Sequence, residues 1–137
     1  MDQSRLTGLA ATLLRVSLGL MYLAHGLLLK IVTFGLAGTA GFFVSIGLPG
    51  WLGYLTAIAE AAGGTLLLLG VQTRLVALAL SPTLLGAIIW VHARNGWLFS
   101  SSGGGWEYPA FLLVVSAAVA ALGSGAYALG RTARASA

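Results

Sequence analysis

Residues 6–31 read LTGLAATLLRVSLGLMYLAHGLLLKI, and this run decides the fold. A helix needs about 20 predominantly apolar residues to cross a bilayer's hydrocarbon core, and this run exceeds that. It is also longer than the apolar part of a secretory leader, roughly 7–15 residues, and Arg15 interrupts it. The run is therefore read as a retained transmembrane helix with Arg5 at its basic start.

Three further apolar runs follow, at about residues 51–69, 75–92 and 108–129. Together the four spans and their short connections use up the 137 residues as one transmembrane domain, residues 1–137. Composition agrees: 58% of the residues are hydrophobic and 7% charged, too few charges to coat a water-soluble surface. The expected fold is an all-α, membrane-embedded four-helix bundle. The connector after the first helix holds Gly35, Gly38, Gly41 and Gly47 together with Phe42 and Phe43. It is predicted to form a short helix lying at the membrane surface. The turn at residues 70–74 makes helices two and three antiparallel neighbours. Pro82 is expected to kink the third span or to be absorbed by its neighbours. The serine–glycine loop at residues 93–107 is expected to be flexible, with Trp97, Phe99 and Trp106 touching the interface.

Composition also excludes chemistry. Without cysteine the chain itself carries no dithiol exchange, cysteine-ligated zinc or iron–sulfur cluster. The net charge of +4 comes from scattered basic residues and forms no nucleic-acid patch. It reads instead as a topology signal. One side carries Arg5, Arg74, Arg131 and Arg134; the other carries Lys30, Arg94 and Glu107. The excess of arginine assigns the first side, and both termini with it, to the cytoplasm.

Ionisable groups inside spans are costly and ask for partners. At about 1.5 Å per residue, Arg15 and Glu60 both lie roughly 14 Å deep, which predicts a buried pair across the first two spans. Arg15, Gly19, Tyr22, Gly26 and Lys30 share one helix face, and Gly53, Ala57, Glu60 and Gly64 share another. Small residues at such spacing let two backbones approach, so these stripes are expected to face each other or line the interior. A second polar group gathers at the outer end: His25, Lys30, Tyr54, His92, Trp106, Glu107 and Tyr108. It is the candidate ligand pocket. Metal binding through His25, His92 and Glu107 lacks a tight ligand spacing, so no metal site is assigned.

Seven segments in order resemble the DoxX family of small four-helix membrane proteins. They are HGLLLK (25–30), GTAGFF (38–43), GLP (47–49), EAAGG (60–64), QTR (72–74), HARNGW (92–97) and GGWEY (104–108). The resemblance implies a transmembrane bundle and, more loosely, membrane redox chemistry. Family members include a small subunit of a thiosulfate:quinone oxidoreductase and proteins of thiol-stress systems; related four-helix proteins serve as assembly factors or cargo receptors. Several redox relatives carry cysteines, which this chain lacks.

The expected function is a quinone-associated subunit or partner of a membrane redox system in a prokaryotic plasma (inner) membrane. Quinone would be held non-covalently in the outer pocket. A histidine would hydrogen-bond a quinone carbonyl, Glu107 would orient a histidine or relay a proton, and Lys30 would favour the reduced anion. Trp106 and Tyr108 would stack on or wall the head group. The expected partners are membrane lipids and either another membrane or peripheral redox protein or further copies of this chain. The alternatives are a non-enzymatic scaffold or assembly partner and a small-molecule carrier.

Overall fold

Antiparallel helices that face each other through glycine organise the computed structural model, which describes residues 2–130. Helix α1 (Gln3–Leu23) continues without a break into a wider, π-type winding over Ala24–Thr33. Gly35, with φ +72°, turns the chain into α2 (Gly35–Ser45). Pro49 precedes α3 (Gly50–Leu69). The turn to α4 (Thr73–Gly86) is left-handed at Gly70 (φ 72°) and Gln72 (φ 47°). A π-type turn, Ala87–His92, extends α4, and α5 (Glu107–Leu122) closes the bundle.

The four longer helices form a ring in which α1 packs on α3, α3 on α4, α4 on α5 and α5 on α1. Helix α2 lies against α3 and the π-wound end of α1. Their shared core holds Leu18, Leu67, Ala77, Leu80, Leu84, Leu112 and Val119. Two glycines set the register of α1 on α3. A Cβ on Gly19 would lie 3.0 Å from the Gly64 carbonyl oxygen, and one on Gly64 would lie 2.9 Å from the Gly19 oxygen. Gly26 approaches α3 more closely still, at Glu60 and Ala61. The two glycine stripes thus meet as expected over most of their length. Gly53 faces away from α1, against Ala40 of α2.

The exterior is apolar and the interior carries the charge. Leu13, Leu20, Ile58, Leu78, Ile89, Phe111 and Val114 are more than half exposed, whereas Arg15 is 1% and Glu60 6% exposed. A water-soluble protein has the opposite pattern. Three helical runs, Gln3–Thr33, Gly50–Leu69 and Thr73–Asn95, are long and apolar enough to cross a membrane; Gly35–Ser45 and Glu107–Leu122 are shorter. The fold is that of a membrane helical bundle.

The last span ends earlier than expected. Gly123, at φ +82°, stops α5 at Leu122, so the helix does not run to residue 129. Residues 123–130 form a strap across the bundle end instead. Ala126 N–H donates to the Gly8 carbonyl, Leu129 N–H to the Leu69 carbonyl, and Thr12 Oγ1 donates to the Ala126 carbonyl at 2.6 Å. Arg131 and Arg134, used above to argue orientation, lie outside the described residues.

Candidate functional site

The buried arginine does not meet the buried glutamate. Arg15 instead donates from Nε to the Ser124 carbonyl (2.9 Å), from Nη1 to the Leu67 and Leu68 carbonyls, and from Nη2 to the Tyr127 carbonyl (3.2 Å). Leu67 and Leu68 belong to the last turn of α3, where carbonyls lose their i+4 partners and sit at the negative end of the helix dipole, the Leu67 carbonyl taking only the capping Gly70 N–H at 3.1 Å. The guanidinium satisfies them and the strap together. Equal depth was a poor guide because the Gly19–Gly64 contact puts Arg15 opposite the end of α3, about two turns from Glu60. A planar fork of five donors is well suited to a cluster of carbonyls.

Glu60 pairs with Lys30 instead, Oε2 to Nζ at 2.6 Å. The side chains are 8% and 18% exposed. Gly26 makes the pair possible. Without a Cβ there, the π-wound end of α1 lies directly on α3 beside Glu60, and Lys30 follows one wide turn later. Thr39 of α2 donates to the Lys30 carbonyl at 2.8 Å and anchors that turn.

A cavity of about 100 Å³ opens beside the pair. His25, Lys30, Glu60, His92 and Tyr108 supply its polar wall, and Leu18, Leu84 and Leu112 supply apolar floor and sides. Met21, Tyr22 and Thr83 also line it. Each histidine is fixed from the same nitrogen. His25 Nδ1 lies 3.0 Å from the Met21 carbonyl and His92 Nδ1 2.9 Å from the Gly104 carbonyl. A carbonyl only accepts, so Nδ1 carries the proton and, in the neutral ring, Nε2 is left as an acceptor. Tyr108 Oη donates to Met21 Sδ at 2.6 Å.

Tyr22 stands apart. It is 4% exposed, and its hydroxyl has no hydrogen-bond partner among the described residues. Its polar neighbours are Ser116, Thr83 and Glu60. Ser116 Oγ and Thr83 Oγ1 give their protons to the Leu112 and Leu80 carbonyls, so toward Tyr22 they offer lone pairs alone, and neither is within hydrogen-bonding geometry of its hydroxyl. An unpaired buried hydroxyl costs about 1–3 kcal/mol, so an orphan on a cavity wall marks a place for a water or ligand atom. Tyr22 was visible in the sequence as a member of the α1 stripe, but nothing there distinguished it from a packing residue.

Three expected pocket residues lie elsewhere. Glu107 Oε1 accepts the Phe99 N–H at 2.6 Å, so it neither orients a histidine nor faces the cavity. Trp106 packs edge-on against Trp97, centroids 4.5 Å apart, and Tyr54 is exposed away from the cavity. All three sit at the right end of the bundle, but chain level does not fix side-chain direction. The serine–glycine loop is tied down rather than loose. Asn95 Nδ2 donates to the Gly103 and Gly104 carbonyls, and the Gly105, Trp106 and Glu107 N–H groups donate to the Leu98, Gly96 and Trp97 carbonyls. A second, open groove lined by Trp97, Phe99, Glu107, Phe111 and Val114 runs along α5, and Tyr108 lines both it and the cavity.

Apolar outside, charged inside and hollow at one end, the molecule is an integral membrane protein with an interhelical cavity. Residues 10–93 match the DoxX family, and the chain belongs to it. A Bacillus subtilis (strain 168) protein named "Putative oxidoreductase CatD" is 39% identical over 112 residues, covering 82% of this chain and 78% of that protein. No solved structure matches the chain.

Proposed function

We propose that this protein crosses a prokaryotic plasma membrane four times, both termini cytoplasmic, and serves as a quinone-associated component of a membrane redox system. The observation that carries the reading is the unpaired Tyr22 hydroxyl on the wall of a cavity that also holds Lys30, Glu60 and two histidines. A quinone head group is flat and apolar with two acceptor oxygens. Tyr22 O–H and the Lys30 ammonium are the donors that suit its carbonyls. The mostly apolar groove along α5, which shares Tyr108 with the cavity as a lining residue, suits an isoprenoid or alkyl tail. The oxidoreductase name of the Bacillus relative points the same way.

A second redox centre must come from a partner, because a bound quinone alone has nowhere to pass electrons. Orientation rests on the sequence excess of Arg5, Arg74, Arg131 and Arg134 on one side over Lys30 and Arg94 on the other. The cavity then opens toward the outer face. Helix α5 is the shortest crossing, 16 residues or about 24 Å, and the strap and loop extend it at either end. A carrier is less well supported: below the cavity Leu18, Leu67, Val119 and Arg15 are at most 1% exposed and close the centre of the bundle.

The test is titration of the purified protein in detergent with a decyl-substituted benzoquinone and naphthoquinone, followed by tryptophan fluorescence. Saturable binding that weakens in Tyr22→Phe and Lys30→Met supports the reading. No saturation by wild type, or identical binding by both variants, overturns it.

A further inference from the structure

The two histidines limit which redox form of a quinoid ligand the cavity suits. Both spend their Nδ1 proton on a backbone carbonyl, Met21 for His25 and Gly104 for His92. Neither neutral ring can then donate a hydrogen bond to a quinone carbonyl; each offers only the Nε2 lone pair. Glu60 holds Lys30 through Oε2, and a carboxylate also only accepts. The polar wall therefore presents four acceptor groups, His25, His92, Glu60 and the Tyr108 oxygen, whose own proton goes to Met21 Sδ. Against these stand the Lys30 ammonium, which gives one of its three protons to Glu60, and the Tyr22 hydroxyl, which can turn either way. An oxidised quinone carries acceptors alone. Its two-electron reduced form carries two hydroxyl donors on the same flat ring.

Resting on the quinoid reading above, we infer that the cavity selects the reduced, dihydroxy form of its ligand over the oxidised form. One ring hydroxyl donates to a histidine Nε2, the other to the remaining histidine or to Glu60, and Tyr22 O–H donates to a ring oxygen. This pairing leaves no acceptor facing acceptor. The oxidised ring must set its carbonyls against the histidine lone pairs or leave those lone pairs unpaired. Sites built to pair with a ligand hydroxyl discriminate strongly against the analogue lacking it, for this reason. The chain has no cysteine, so no thiol consumes the probe by addition to the quinone ring.

The experiment is spectroelectrochemical titration of a decyl-naphthoquinone, in detergent, with and without excess purified protein. Tighter binding of the reduced form raises the apparent midpoint potential. A tenfold preference corresponds to about 30 mV for a two-electron couple. The expected result is a positive shift of at least that size, matched by about tenfold tighter binding of the quinol in separate dialysis. His25→Phe, checked for folding by thermal unfolding, should lose most of the shift while still binding the quinone. A zero or negative shift with measurable binding overturns this inference and leaves the quinone reading standing. Absence of binding by either form overturns both.

Discussion

Two cations on the same face of one helix, the buried Arg15 and the partly buried Lys30, are used in opposite ways. Arg15 has carbonyl partners from α3 and the strap, and little of its bonding capacity is left over. Lys30 has one carboxylate, beside a cavity whose other groups keep free lone pairs and one free hydroxyl. The first arrangement is saturated and holds the strap end of the bundle shut. The second is unsaturated on the cavity side and can take a ligand. Charge inside a membrane protein invites a functional reading, and here the deciding feature is what bonding capacity remains.

The largest expected effect breaks the closed end. Arg15→Met should cost about 3–5 kcal/mol of unfolding free energy, since it strands carbonyls of α3 and of the strap at once. Urea or SDS titration of purified protein measures it. Arg15→Lys should recover less than half, because an ammonium cannot reproduce the planar fork. If Arg15→Met unfolds like wild type, the strap end is not held by this residue.

Breaking the open end gives a different pattern. Glu60→Gln should cost about 3 kcal/mol by leaving the partly buried Lys30 without its counter-charge. The double variant Lys30→Met with Glu60→Leu should regain most of that stability, because an apolar pair replaces an ion pair at little cost, yet bind no quinone. Recovery of binding along with stability would make the pair purely architectural.

Next comes the register that keeps the two cations apart. Gly64→Ala places a methyl 2.9 Å from the Gly19 oxygen and should cost about 1–3 kcal/mol through forced separation of α1 and α3. The smallest effect is local. Gln72 adopts a left-handed conformation (φ 47°), so Gln72→Gly should raise the thermal midpoint slightly, by the equivalent of about 1 kcal/mol. Neither change should alter quinone affinity in the fraction that folds.

Much of this architecture is legible in the sequence. The apolar runs at residues 6–31, 51–69 and 75–92 are helical over nearly those limits, because a long apolar run has no other way to satisfy its backbone in lipid. The glycine stripes announced the α1–α3 contact because only glycine permits such approach. The ion-pair partners were misread for a definite reason. Depth along a helix is set by where it starts and by its winding, and neither the Gln3 start of α1 nor its π-type end is written in hydropathy. The site was half legible. His25, Lys30, His92 and Tyr108 could be gathered by level alone. Tyr22 and Thr83 come from mid-helix positions that look like packing residues, and Glu107 is drawn off by a loop N–H that no pattern signals.

The most direct measurement compares quinone affinity and stability in one variant, Tyr22→Phe. It removes one oxygen and leaves the ring that fills the core. The account predicts unchanged or slightly higher stability, by up to about 1 kcal/mol, because an unpaired buried hydroxyl is gone. It predicts quinone binding weaker by roughly fivefold to tenfold, the worth of about one hydrogen bond. Unchanged affinity, or a large loss of stability showing that the hydroxyl was already paired within the protein, would contradict it.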